Sequence, residues 1–287
     1  GVLGFSTAAS WRLSMVVAGV VCALMGIAYY FLTQDTPQGN FRELRAAGRL
    51  PAKSKTKGTF LTASRDPRVW MLAALYGACF GIELTVKNVA ALYFVDNFDA
   101  LSSLDAIDAA RYAGLIVGLY GSMNLFARTL GGWMGDQCGR RWGAGGRVRW
   151  LFVAIFCEGV LLVLFSQTRS LATAIPMLVI FALFVQMSCG ATFSIVPFVM
   201  PRAVGSVSGI VGAGGNLAAV GAGFLFKSEG LEWSTVFLLL GAAVTACSFL
   251  SFGVNLSPST SAIASAEGLG GPRLRVGERA TPALQDA

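Results

Sequence analysis

Histidine is absent from this chain of 287 residues, and charge is scarce: Asp, Glu, Lys and Arg together make up 13%. Without histidine there is no imidazole for general acid–base work, no Ser-His-Asp relay and no His metal site. An ordinary soluble domain carries about 25% charged residues, so this shortage points away from a surface in contact with water. No CxxC pair occurs among Cys22, Cys79, Cys138, Cys157, Cys189 and Cys247. All but one of these cysteines stand inside apolar runs, where a thiol acts as a small packing residue. No disulfide framework, metal site or cofactor is expected. The chain opens at Gly1 with no initiator Met and no basic stretch before the first apolar run. A signal peptide is therefore not recognisable, and the sequence reads as a fragment of a longer protein.

Apolar residues are what the chain has in excess, at 55% with a mean hydropathy of +0.65. A helix that crosses the hydrocarbon core needs about 20 of them in succession. Seven segments qualify, at 12–32, 69–94, 112–134, 150–167, 171–199, 204–226 and 233–254. The fold class is therefore an all-α membrane protein with seven transmembrane helices. Length alone would also allow a soluble domain or two, which these runs exclude. The 150–167 segment is short, and 171–199 is long enough to tilt or to bend at Pro176 and Pro197.

The net charge of +7 could suggest a nucleic-acid partner, but the basic residues lie in short connections between apolar runs. The 33–68 connection carries eight, the 135–149 connection four, and Arg202, Arg273, Arg275 and Arg279 fall on the same side. The opposite side holds Arg12, Arg111, Arg169 and Lys227, with an acidic loop of Asp96, Asp99, Asp105 and Asp108. Basic connections face the cytoplasm. The first helix then runs inward and the C-terminus is cytoplasmic. The organisation is a helix in 1–32, a basic loop in 33–68, a six-helix bundle in 69–254, and a tail in 255–287. The tail's Ser, Gly and Pro content predicts disorder.

Two stretches carry most of the information. GGWMGDQCGRR, Gly131 to Arg141, falls between the third and fourth segments on the basic side. Small residues at Gly132 and Gly135 let helices approach, and Asp136 can accept hydrogen bonds at a helix N-terminus. Gly139 completes the pattern, and Arg140 and Arg141 suit an anionic leaflet. Further on, Gly205-Ser-Val-Ser-Gly209-Ile-Val-Gly212-Ala-Gly214-Gly215-Asn216 opens the sixth segment. At about 100° per residue, Gly205, Gly209, Gly212, Asn216 and Gly223 share one face. Such a stripe lets a neighbouring backbone come close and slide.

The first pattern resembles the inter-helix signature of the major facilitator superfamily. The second, with FSIVPFV at 193–199, QDTPQGN at 34–40 and YGACFGIELT at 76–85, resembles the nitrate/nitrite porter family, in particular its algal and plant high-affinity members. The superfamily signature follows the second and eighth helices. Two segments precede the one that carries it here, and four follow. The resemblance thus implies the sixth to twelfth helices of a twelve-helix transporter in the plasma membrane, with the N-terminal half missing. It implies nitrate or nitrite as the partner anion and no enzymatic activity; an accessory protein is left open.

Arg128 is the leading site residue. An arginine inside an apolar segment costs about 2.5–3.5 kcal/mol by insertion scales, so it faces a cavity or a partner. It shares a helical face with Gly114, Gly118, Gly121 and Gly132, about 9 Å from the cytoplasmic end if the helix stops at 134. Its planar fork suits a planar three-oxygen anion, and snorkelling or a structural ion pair are the alternatives. The resemblance implies that Arg128 matches the substrate arginine of the eighth helix, with Tyr76, Asn216, Gly212, Gly214 and Gly215 lining the same site. Tyr76 shares a face with Phe80, Glu83 and Lys87, and the i,i+4 spacing of Glu83 and Lys87 predicts an ion pair. Glu158, with no basic neighbour in its own segment, is the candidate proton site.

Two other classes fit less well. A heptahelical receptor would match seven helices and an outside N-terminus, but a retinal protein needs a lysine in its last helix, and 233–254 has none. An intramembrane enzyme lacks histidine, a metal cluster and paired carboxylates. A major facilitator for another small anion stays open.

Overall fold

The computed structural model describes residues 7–36, 39–49, 58–228 and 230–256. The expected disordered tail, apart from its first two residues, lies outside them. The chain divides into two compact units, Gly1–Lys57 and Gly58–Ala287. Regular structure in the described residues is helical, apart from an isolated bridge between Thr36 and Gly39.

The first unit contains α1 (Thr7–Leu32) and the short α2 (Phe41–Ala46). Asp35 and Asn40 tie the turn between them, the Asp35 carboxylate accepting from the Phe41 N–H at 2.9 Å. What reads as a loop in the sequence thus includes a helical turn.

The second unit begins with α3 (Thr59–Ser64) and α4 (Pro67–Tyr76). Asp66 caps α4 by accepting from the Arg68 N–H at 2.9 Å, and Pro67 supplies the fixed φ of a first helical position. The Arg68 guanidinium also bonds Asp66 and holds its carboxyl below the usual value. After a π-helical turn at Gly77–Gly81 the chain continues as α5 (Ile82–Asn97). Then follow α6 (Asp99–Ser102), α7 (Ala106–Ser122), α8 (Ala127–Trp142), α9 (Ala144–Ser166), α10 (Leu171–Val199), α11 (Val204–Phe226) and α12 (Trp233–Ser248).

Among the described residues, six helical stretches are long and apolar enough to cross a membrane: Ala9–Leu32, Pro67–Asn97, Ala144–Ser166, Leu171–Val199, Pro201–Phe226 and Trp233–Gly253. The residues of the expected span at 112–134 fall in two helices, α7 and α8, divided by a 3-10 turn at Met123–Leu125 and by Phe126 at φ −136°. The GGWMGDQCGRR stretch, expected as a connection, is helix. Nothing in it breaks an α-helix until Gly143, whose φ of +68° L side chains rarely adopt. Arg140 and Arg141 in the last turn suit the negative end of the helix dipole. Likewise α9 starts at Ala144 and is not short, and α10 runs through both of its prolines.

Glycines set the closest helix approaches. A Cβ on Gly131 would meet the Met187 backbone, and one on Gly190 the Arg128 carbonyl, so α8 and α10 touch along their backbones. Gly159 and Gly241 do the same for α9 and α12; a Cβ on either would fall 2.9 Å from the other's carbonyl oxygen. Tyr93, Phe94, Phe98, Phe165 and Phe237 pack edge-on and stacked at one end of this core.

Candidate functional site

The break between α7 and α8 places Arg128 at the second residue of α8. Trp142 lies fourteen residues further on, so Arg128 stands about 21 Å along the axis from that end at 1.5 Å per residue. A helix ending at 134 would make that distance about 9 Å; α8 continues past it to Trp142.

Three groups fix the guanidinium. Its Nε donates to Asn124 Oδ1 at 2.7 Å, its Nη2 to Glu83 Oε2 at 2.6 Å, and its plane lies over the Phe80 ring at 5.6 Å. Asn124 belongs to the 3-10 turn, and its Nδ2 also donates to Glu83 Oε1 at 3.3 Å. The helix break thus serves the site directly, because it brings a side-chain amide back onto the arginine and its counter-ion.

Glu83 is the centre of the cluster. Its side chain has no exposed surface, and it is paired with both Lys87 and Arg128. The i,i+4 pair read from the sequence is present, and Arg128 joins it. Lys87 also lies over the Tyr120 ring at 5.8 Å. Two cations around one carboxylate leave the cluster with one net positive charge. About a third of the Arg128 side chain, 35%, remains open. A partly open arginine in a surplus of positive charge has the chemistry to bind an anion.

Tyr76 forms one wall. Its ring stacks on Phe80 with centroids 5.0 Å apart and 6° between the planes, and meets Phe193 edge-on. Its hydroxyl lies within interaction reach of Arg128. The π-helical turn between Tyr76 and Glu83 packs against α11. A Cβ on Gly77 would come within 2.9 Å of Ala218 Cβ, and one on Gly81 within 2.8 Å. Irregular turns of this type recur at functional positions.

The glycine signature divides into two faces. A Cβ on Gly214 would lie 2.6 Å from the Ala73 carbonyl oxygen, and one on Gly215 2.8 Å from ring atoms of both Tyr76 and Phe80. Gly215 thus seats the aromatic wall, and Gly214 lets α11 meet α4 at Ala73. Gly205, Gly209, Gly212 and Gly223 have no atom within 4 Å of such a Cβ, so the expected stripe meets no helix of its own unit. Asn216 is exposed, and its amide donates to the Gly212 carbonyl of its own helix at 3.1 Å. Gly114, Gly118 and Gly121 are open in the same sense.

In the superfamily signature, Gly135 is pressed against Ser194, whose Oγ an added Cβ would meet at 2.8 Å, and Gly132 is looser, a Cβ there falling 3.8 Å from the Gly190 carbonyl oxygen. Gly139 lies against Arg147, which pairs with Asp136 and stacks over Phe198 at 4.7 Å. Arg140 lines the same cleft, and Arg141 lies over Trp142. Glu158 is fully buried, and neither carboxyl oxygen has a hydrogen-bond partner. The functional residues that sequence reasoning missed are Asn124, Gly190 and the link from Glu83 to Arg128. An i,i+4 Asn124–Arg128 spacing was the available signal.

The sequence profile of the Major Facilitator Superfamily matches residues 2–223. The chain is 34% identical over 247 residues to High affinity nitrate transporter 2.5 of Arabidopsis thaliana, covering 86% of this chain and 47% of that protein. It is 34% identical over 247 residues to High-affinity nitrate transporter 2.3 of Oryza sativa subsp. japonica, covering 85% and 46%. It is 36% identical over 225 residues to Nitrate transporter 2.1 of Chlamydomonas reinhardtii, covering 76% and 38%. The chain thus spans about half the length, or less, of these relatives. Helical throughout the regular structure of its described residues, with six helices of membrane length among them, and matched by the profile over most of its length, the chain belongs to the Major Facilitator Superfamily, and it is similar there to nitrate transporters.

Proposed function

We propose that this chain is the C-terminal part of a secondary transporter that carries nitrate, and nitrite with it, across the plasma membrane by alternating access. The observation that carries this reading is the cluster of Arg128, Lys87 and Glu83. Its single surplus positive charge matches a monovalent anion, and the open part of Arg128 offers a planar donor to a planar oxyanion. Tyr76 and Phe80 form an aromatic wall beside it, seated on Gly215. The names of the relatives point to the same anion.

In this reading α1 is the sixth helix of the transporter, and Ala106–Trp142 counts as one crossing made in two pieces, which gives the sixth to twelfth helices. The C-terminus is cytoplasmic. An N-terminal half supplies the rest of the substrate site and covers the open glycine face of α11, including Gly212 and Asn216. Glu158 is the candidate proton site of the coupling cycle.

The test is uptake of labelled nitrate by the full-length protein in proteoliposomes. Saturable uptake that competes with nitrite and not with chloride is expected. Failure of nitrate to compete for whatever anion is carried would remove it as the substrate.

A further inference from the structure

Resting on the nitrate reading, the geometry assigns a role to the carboxylate that already occupies Arg128. Glu83 Oε1 accepts from Lys87 and Asn124, whereas Oε2 accepts from Arg128 Nη2 at 2.6 Å and faces Cys189 Sγ at 3.6 Å. A planar oxyanion bound to Arg128 would use donors of the same kind that Glu83 now uses. We propose that Glu83 is a tethered competitor for Arg128: its carboxylate holds one guanidinium edge when no anion is bound, and the substrate anion takes that edge as Glu83 gains a proton and lets it go.

The competition ties anion binding to a proton. A proton taken from water onto Glu83 removes its charge, weakens its grip on Arg128 and leaves the guanidinium to the anion. By linkage, the bound anion favours that proton to the same extent. The proton returns to water when the anion leaves and Glu83 closes on Arg128 again. Anion affinity therefore rises as pH falls. The charged and titratable groups around Glu83 are Lys87 on its own helix, Tyr120 on α7, Arg128 on α8, Glu158 on α9 and Cys189 on α10. The sequence of α11 contains no titratable residue. Lys87 and Arg128 are the cations of this set; both stand partly open, at 26% and 35%, and Arg128 is the one that lies on the aromatic wall, so the competition centres there.

The experiment is the dissociation constant of nitrate, measured by calorimetry on the full-length transporter in nanodiscs from acidic to mildly alkaline pH. Wild type should weaken with rising pH, at most about tenfold per unit for one linked proton. It should also take up protons when nitrate is added in weak buffer. Glu83→Gln should bind nitrate tightly with no dependence on pH and without proton uptake. A pH slope that survives in Glu83→Gln, or a wild-type affinity independent of pH, overturns the competitor role and leaves nitrate as the substrate. Absence of nitrate binding by wild type overturns the nitrate reading and this role with it. If Glu83→Gln does not fold, Glu83→Asp carries the test. Its shorter carboxylate should loosen from Arg128 and raise affinity several-fold while keeping the slope, and unchanged or weaker binding overturns the proposal.

Discussion

At the scale of single residues the site depends on how one guanidinium is divided between partners. Asn124 and Glu83 hold the Nε and Nη2 side of Arg128, Phe80 supports its plane, and the remainder is open. A lysine at this position keeps the charge but cannot bond Asn124 and Glu83 together while presenting a planar donor pair. Arg128→Lys should therefore cut nitrate uptake by about 10- to 100-fold, the loss of one or two charged hydrogen bonds at about 1.5–3 kcal/mol. Amounts in the membrane should stay near wild type, so the measurement pairs labelled uptake with surface quantification. Near-normal uptake would remove Arg128 from the site. Lys87→Met tests the charge count separately, because it leaves Arg128 and Glu83 as a neutral pair. Nitrate affinity should then fall by about tenfold or more, the effect of losing roughly 1.4 kcal/mol of charge attraction. Binding that is equally tight in this variant would mean that Lys87 only neutralises Glu83.

At the scale of elements, glycines decide which helix faces meet and the 3-10 turn decides where Arg128 sits. Gly215 and Gly212 lie three residues apart on α11 but in different surroundings: the first is pressed by the Tyr76 and Phe80 rings, and the second is open. Gly215→Leu should disrupt the seat of the aromatic wall and lower both folded yield and uptake. Gly212→Leu should leave the fold intact and lower uptake alone, because the crowding arises only against the N-terminal half proposed above. Detergent-solubilised thermal melts beside uptake assays separate the two, and equal destabilisation by both would refute the assignment of faces. The helices themselves were legible as apolar runs, and the Glu83–Lys87 pair as i,i+4 spacing. The break at Met123–Leu125 was not, since Ser122, Asn124 and Phe126 are all tolerated in a membrane helix and no Pro or Gly marks the turn. The end of α8 was misread because polar, basic residues look like a loop, although they continue the helix to Gly143. The stripe on α11 was read correctly as one face. Periodicity cannot say what covers a face, and the tight contacts fell to Gly214 and Gly215 on the side next to it.

At the scale of the whole molecule the proposed function sets an anion site at Arg128 and a second buried carboxyl at Glu158, and coupling in that reading must connect them across a change of state. The chain alone, about half the length of its relatives, should insert into proteoliposomes and show no saturable nitrate uptake, since alternating access moves one repeat against another. Glu158 is the group to follow in the complete protein. It is fully buried in α9, its oxygens have no hydrogen-bond partner, and Ser188 and Glu83 are among the polar groups nearest to it. A carboxyl inside a membrane that lacks an ion-pair partner can gain or lose a proton according to solvent access alone. Glu83, by contrast, is tied to the substrate arginine. The two carboxyls should therefore fail in different ways. Glu158→Gln should lower uptake driven by a pH gradient but preserve nitrate/nitrite exchange at zero gradient, with the nitrate dissociation constant and its pH slope as in wild type. Glu83→Gln should alter the dissociation constant and its slope first. Vesicles loaded with nitrite and assayed for labelled nitrate, with and without an imposed gradient, read both. Gradient-driven uptake in Glu158→Gln equal to wild type would exclude Glu158 from coupling. Loss of exchange together with driven uptake would instead place it in the common transport path, where a proton carrier alone has no reason to be.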